Sequence, residues 1–293
     1  MPLPLPAREI LYTVRGPKLL PEMTHEEVAE ALELTKSVVF AGASTEGHGA
    51  PLPLATDAIE AEELLRLVAL RMNSDGFPVV CGPVIPFGPT SDRMSFPGTL
   101  SVGNLTFINV VKDVAKSLFH HGFRNFGLVV YHFDNLGPMM VAARELIDEF
   151  PDDVRVLVLS GLLRTGDRDL LSTLSTSDHP EWEGHGGELE ASRVLAARPE
   201  LVQLAYAQPS YPDQRPTFAV VHDKELFHGG GTFSPPKDYR RIAPLGYVGH
   251  PGLATREKGE ASNAAMADWV CALLKREFFR AESPDARGSH ADS

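Results

Sequence analysis

The chain has 293 residues, 43% of them hydrophobic, which can bury a large core as one generous α/β domain, the simpler reading, or as two small ones. Its formal charge of −12, with no basic stripe, argues against a nucleic-acid partner or an anionic membrane surface, because both polyanions would be repelled. Cys81 and Cys271 are too few and too far apart for a disulfide framework or a thiolate zinc site, the proline-rich start lacks a secretory apolar region, and no membrane-length apolar run occurs, so a soluble cytoplasmic protein is expected.

In chain order, Thr24-His25-Glu26-Glu27 has the form of a capping box and predicts a helix over 24–36, feeding a strand over 37–41. A polar loop follows, and then Ile59, Leu64, Leu65, Val68 and Met72 mark the apolar face of a helix over 57–72. A short buried strand is expected over 78–81, followed by a glycine- and proline-rich loop over 82–98 that is too long to be a mere connector. A helix over 104–121 stops at Gly122, a strand follows over 126–131, then a helix over 136–150 and a strand over 154–159 whose continuous apolar character suits a doubly covered parallel strand. The segment 164–187 reads as irregular and leads into a helix over 188–197; 217–222 can be a strand, and a long final helix spans 254–280. The alternation predicts an α/β fold with a mostly parallel central sheet in a single domain over 1–280, and the small, polar residues 281–293 read as a disordered tail.

Three loops carry side chains suited to a divalent cation. Glu46 and His48 stand two apart, so an extended backbone points both to one side, and Asp57 returns at the head of a helix. His132 and Asp134 follow a strand directly, and His185, Glu188 and Glu190 open a later helix. Each has a plainer reading, since polar loop residues beside prolines are usually solvated and Asp57 or Asp134 can cap the helix it adjoins. Convergence favours the functional one, because parallel sheets place their sites beyond the carboxyl ends of the strands, where the Glu46 loop and the His132 turn both fall. Five ligands of these types are enough for two ions with one bridging carboxylate.

Ser44-Thr45-Glu46-Gly47-His48-Gly49, Leu52-Pro53-Leu54 and Thr56-Asp57 read S-T-E-x-H-G…L-P-L-x-T-D, and Phe96-Pro97-Gly98-Thr99 reads F-P-G-T; in these the chain resembles the creatininase (creatinine amidohydrolase) family. His132 to Asn135 corresponds to N-G-H-x-E-N or N-G-H-G-G-N, and His185 to Ser192, with Pro199-Glu200-Leu201-Val202, to H-x-G-x-x-E-T-S…P-x-L-V. The similarity runs in register over 37–259. It implies a three-layer α/β sandwich, commonly a homohexamer, with two divalent ions per subunit, zinc or manganese, with iron also suited to such ligands. By motif, Glu46 and His132 would hold one ion, His48 and Asp134 the other, and Asp57 would bridge them. His185 would carry a proton beside the site, and Glu190 would orient a ligand or the water.

The chain also departs from the pattern. Val130-Tyr131 replaces Asn-Gly before His132, and Asp134 stands where glutamate or glycine is usual. Phe133 parallels an aromatic of the creatinine-hydrolysing members, and Trp182 resembles a tryptophan that covers a flat substrate ring, with loop packing as its equal alternative. The resemblance implies hydrolysis of a carbon–nitrogen bond other than a peptide bond, in a small cyclic amide or amidine. Ring opening of a keto-cyclitol derived from inositol by the same activated water is the alternative, and a non-catalytic metal-binding relative a third.

Overall fold

A computed structural model describes residues 17–160, 173–211 and 236–279. Among these, four strands pair in parallel in the order β2-β1-β3-β4, where β1 is Ser37–Gly42, β2 Val80–Ile85, β3 Asn125–Val130 and β4 Arg155–Leu159. Six helices accompany them: α1 His25–Leu34, α2 Thr56–Ser74, α3 Asn104–His121, α4 Leu136–Glu149, α5 Glu188–Ala197 and α6 Arg256–Phe278. Side chains alternate across β1, so Val39 and Ala41 join α2 and α6 in one apolar layer while Val38 and Phe40 join α3 and α4 in the other. This is the expected three-layer α/β sandwich, with the sheet buried between two helical layers. The predicted capping box at Thr24 is formed: its hydroxyl accepts from the Glu27 amide at 3.2 Å, and Glu27 accepts from the Thr24 amide at 2.7 Å.

Two elements differ from expectation. The strand expected over 78–81 lies at Val80–Ile85 and runs on through Gly82 and Pro83, which the sequence assigns to a loop. Because β2 pairs among the described residues only with β1, at the sheet edge, a proline without an amide hydrogen is tolerated there, and the register slips by one residue between Val39/Cys81 and Ala41/Val84. β4, expected to be covered on both faces, is an edge strand among the described residues, exposed at Arg155 and half-buried from Val156 to Val158.

The topology positions the site. From β1 the chain moves outward to β2, then crosses through α3 to β3 on the other side, so β1 and β3 are neighbours whose following helices cover opposite faces. Gly42 pairs with Val130, which sets the last residues of the two strands side by side and opens a crevice beyond them. Helix α5 packs against α6 and α2. The strand suggested over 217–222, the residues 164–172 of the irregular segment and the tail 281–293 lie outside the described residues. No described helix is long and apolar enough to cross a membrane.

Candidate metal centre

The loop after β1 is pinned from both sides. The Glu46 amide donates to the Leu54 carbonyl at 2.9 Å, Leu100 N–H to the Thr45 carbonyl at 2.9 Å, and Gly47 N–H to Thr99 Oγ1 at 3.1 Å. Gly49 has φ of 76° and lies against the Tyr247 ring, so a side chain there would be strained in the backbone and would strike the ring. Held this way, Glu46 and His48 are both fully buried. His48 Nδ1–H donates to the Glu46 carbonyl at 3.1 Å, which leaves its Nε2 lone pair turned inward.

Asp57, at the head of α2, lies between two imidazoles. Its Oδ1 is 3.3 Å from His48 Nε2 and its Oδ2 is 3.4 Å from His132 Nδ1. His132 Nε2–H is spent on the Pro89 carbonyl at 3.0 Å, and its Nδ1 also stands 3.4 Å from Glu46 Oε1. Glu46 Oε1, His48 Nε2 and Asp57 Oδ2 are buried with no hydrogen-bond partner. Orphaned polar atoms facing one another at these separations are costly unless a cation fills the space. Donors about 2.1 Å from a tetrahedral ion lie about 3.4 Å from each other, so the spacing and the carboxylate and imidazole donors fit zinc or a similar ion. Two groups each bring one ligand atom per residue to within 4.8 Å of one another, Glu46/Asp57/His132 and Glu46/His48/His185.

The remaining residues named from sequence fall in different places. Glu190 Oε2 is 3.6 Å from His48 Nε2 and accepts the Gly186 amide at 2.6 Å, so this carboxylate reaches the centre. Asp134 does not approach His48. It lies on the other side of His132, 3.8 Å from Nε2, pairs with Arg93 Nη1 at 3.4 Å and is 27% exposed. His185 stacks near His48 with ring centroids 4.1 Å apart; its Nε2–H donates to the Gly47 carbonyl at 2.9 Å and its Nδ1 faces Glu46 Oε1 at 3.6 Å. Trp182 is half-buried in the short turn Pro180–Trp182 leading toward His185, and Phe133 is half-buried between His132 and Asp134. Glu188 turns away from the centre to Lys258, Ser175 and Thr176.

The charges are strongly coupled. Burial alone would raise the Glu46 carboxyl, but Arg93, His132 and His185 hold it well below the usual carboxylate range. Burial disfavours charge on His48, yet Asp57, Glu190 and Glu46 outweigh it and lift its pKa to about 9. His132 is likewise raised, against burial, by Glu46 and Asp57. His185 goes the other way, since burial and the neighbouring His48 and Arg93 charges keep it neutral.

Several further residues support the centre, and of these only Ser44 stands in a motif. Thr90 donates its hydroxyl to Glu46 Oε2, and Ser44 Oγ reaches the same oxygen at 3.2 Å. Arg93 is buried with Nε 3.3 Å from Glu46 Oε1, and its guanidinium lies 4.5 Å over the Tyr239 ring. The length of the 82–98 loop was the available signal for Thr90 and Arg93. Nothing comparable marks Tyr239.

The sequence model of the creatininase family, described as creatinine amidohydrolase, matches residues 21–274. The creatinine amidohydrolase of Pseudomonas putida is 27% identical over 247 residues, which is 80% of this chain and 86% of that protein. The mycofactocin precursor peptide peptidase of Mycobacterium tuberculosis is 25% identical over 237 residues, 79% of this chain and 82% of that one. A crystal structure of creatinine amidohydrolase (creatininase) superposes with a TM-score of 0.71 at 23% identity, covering 90% of this chain and 98% of that chain, a likeness of fold. A mutant creatininase described as the Zn-Zn type is 25% identical, with a TM-score of 0.69 over 89% of this chain and 98% of its own.

Proposed function

This chain belongs to the creatininase family, and from that premise we propose that it is a metal-dependent hydrolase whose dinuclear centre acts on a carbon–nitrogen bond in a small, cyclic amide or amidine. One observation carries the proposal: the two oxygens of a single buried carboxylate, Asp57, face two different imidazoles at 3.3 and 3.4 Å. That is the disposition of a bridging ligand. Glu46 and His132 complete one position. At the other, Glu190 rather than the expected Asp134 stands beside His48, because Asp134 is spent on Arg93 beyond the far nitrogen of His132. Divalent ions held there supply Lewis acidity, lowering the pKa of water and polarising a carbonyl.

The chain's own residues do the rest. The Glu46 and Pro89 carbonyls fix the tautomers of His48 and His132, so each presents one lone pair to the centre. The Gly47 carbonyl holds the His185 Nε2–H, so its Nδ1 faces the centre and would accept a proton from the attacking water and return it to the leaving nitrogen. Trp182 and Phe133 are assigned to the walls against a flat substrate.

Metal content tests the centre. The wild type should carry two ions per subunit and Asp57→Ala almost none; equal content in the two would end the dinuclear reading. A panel of creatinine, hydantoins, formamides and keto-inositols with added zinc or manganese tests the substrate, and turnover of a keto-cyclitol alone would replace the cyclic-amide reading. A second reading, cleavage of a peptide amide, is favoured by the similarity to the mycofactocin precursor peptide peptidase, so short peptides belong in the same panel. The homohexamer implied by the family is tested by light scattering of the purified protein.

A further inference from the structure

Behind the ligands lies a second buried charge cluster that the hydrolytic reading leaves without a task. Arg193, one turn beyond Glu190 on α5, is 2% exposed. Its Nε donates to Glu60 Oε2 at 2.9 Å, its Nη1 to Ser262 Oγ at 3.3 Å, and its Nη2 lies 3.9 Å from Glu190 Oε1. Glu60, one turn beyond Asp57 on α2, is 1% exposed. The guanidinium thus joins α2, α5 and α6 and faces the oxygen of Glu190 that points away from His48.

We propose that Arg193, locked by Glu60, is a positioning residue that presents Glu190 to the His48 side of the metal centre; the proposal rests on the dinuclear reading given above. Glutamate has three rotatable bonds, and a carboxylate held at one oxygen alone can swing. Here Oε2 accepts the Gly186 amide at 2.6 Å while Oε1 is drawn toward the guanidinium, which leaves Oε2 facing His48 Nε2 at 3.6 Å. Arg193 can do this only if it does not swing itself, and the Glu60 and Ser262 contacts remove that freedom. Fold stability gives little reason for the arrangement, since a fully buried ion pair is generally no more stabilising than well-packed apolar side chains of similar volume. A planar fork that reaches two carboxylates and a hydroxyl in fixed directions is also something lysine does not supply.

The test is a zinc titration of the full-length protein against a competing chromophoric chelator, read alongside thermal melting. The double substitution Glu60→Leu with Arg193→Leu removes the pair without leaving a lone buried charge. It should melt close to the wild type in the metal-free state, bind one zinc normally and bind the second about 10- to 100-fold more weakly. Arg193→Lys keeps the charge, loses the fork and should show the same selective loss, which preserves the test if the double variant does not fold. Two zinc ions at wild-type affinity in either folded variant would overturn the proposal. A wild type that takes up fewer than two ions would instead overturn the dinuclear reading itself, and this inference with it.

Discussion

Asp57 and Asp134 occupy similar places in sequence, each near the start of a helix after a strand, yet their surroundings assign them different consequences. Asp57 is buried between two histidines with an orphaned oxygen, whereas Asp134 is part-exposed and faces an imidazole nitrogen already donating to a carbonyl. Asp134→Ala is therefore expected to retain both ions, with Glu190→Gln losing one; elemental analysis of the two variants after gel filtration decides it, and loss of an ion from Asp134→Ala would restore the assignment implied by the motif. The same atoms make metal uptake proton-linked. In the metal-free protein His48 holds its proton up to about pH 9, and an ion must displace it. Apparent zinc affinity should rise about tenfold per pH unit for each displaced proton, the His48 contribution flattening above about pH 9. The sign reverses for the stability of the metal-free protein: the His48–Asp57 pair contributes fully below the ordinary histidine value of about 6.5 and is lost as pH rises through about 9.

At the scale of elements, the helices were the most legible features, because three- and four-residue apolar spacing sustained over ten or more residues suits an amphipathic helix and fits a strand poorly. Thr24 marked α1, and the apolar stripe from Ile59 to Met72 marked α2. What was lost depended on neighbours in space. Gly82 and Pro83 read as loop until the edge position of β2 is known, and nothing in the sequence sets the buried Arg193 against Glu60 of α2 and Ser262 of α6. Glu188 and Lys258 are another such pair, joining the first turns of α5 and α6 by an interaction that short-range pattern does not encode. The Glu188 side chain has no exposed surface and also accepts the Thr176 amide at 2.9 Å. Lys258→Met should destabilise by about 1–3 kcal/mol, measured by urea unfolding. Burial would raise Glu188, but Lys258, Ser175 and Thr176 hold its carboxyl below the usual value of 4.5. Its contribution is thus complete above about pH 4.5 and disappears as pH falls through the lower folded value, so Glu188→Gln should flatten that part of the acid limb.

For the molecule as a whole, the centre draws together segments that the sheet alone does not tie. Glu46 and His48 follow β1, Asp57 begins α2, His132 follows β3 and Glu190 belongs to α5, so ions there would join both sides of the crevice to the C-terminal helical layer. The ligand loops were readable because chemistry fixed their residue types, while their mutual placement waited on the register of β1 against β3. Without ions, the carboxylates of Glu46, Asp57 and Glu190 stay crowded, offset by the Arg93 charge and by protons on His48 and His132. Ions bound there would stabilise the folded chain by mass action, about 4 kcal/mol for a site held at a thousandfold excess over its dissociation constant. In a chain of this size that corresponds to a rise of roughly 10 °C in the melting temperature. Dialysis against a chelator should therefore lower the melting temperature by that order, and zinc should restore it in wild type but not in Asp57→Ala. Hydrogen exchange should speed up on chelation at 44–57, 131–135 and 185–190 while the interior of β1 and β3 stays protected. Uniform acceleration across the sheet would mean that the ions support the fold rather than close the site.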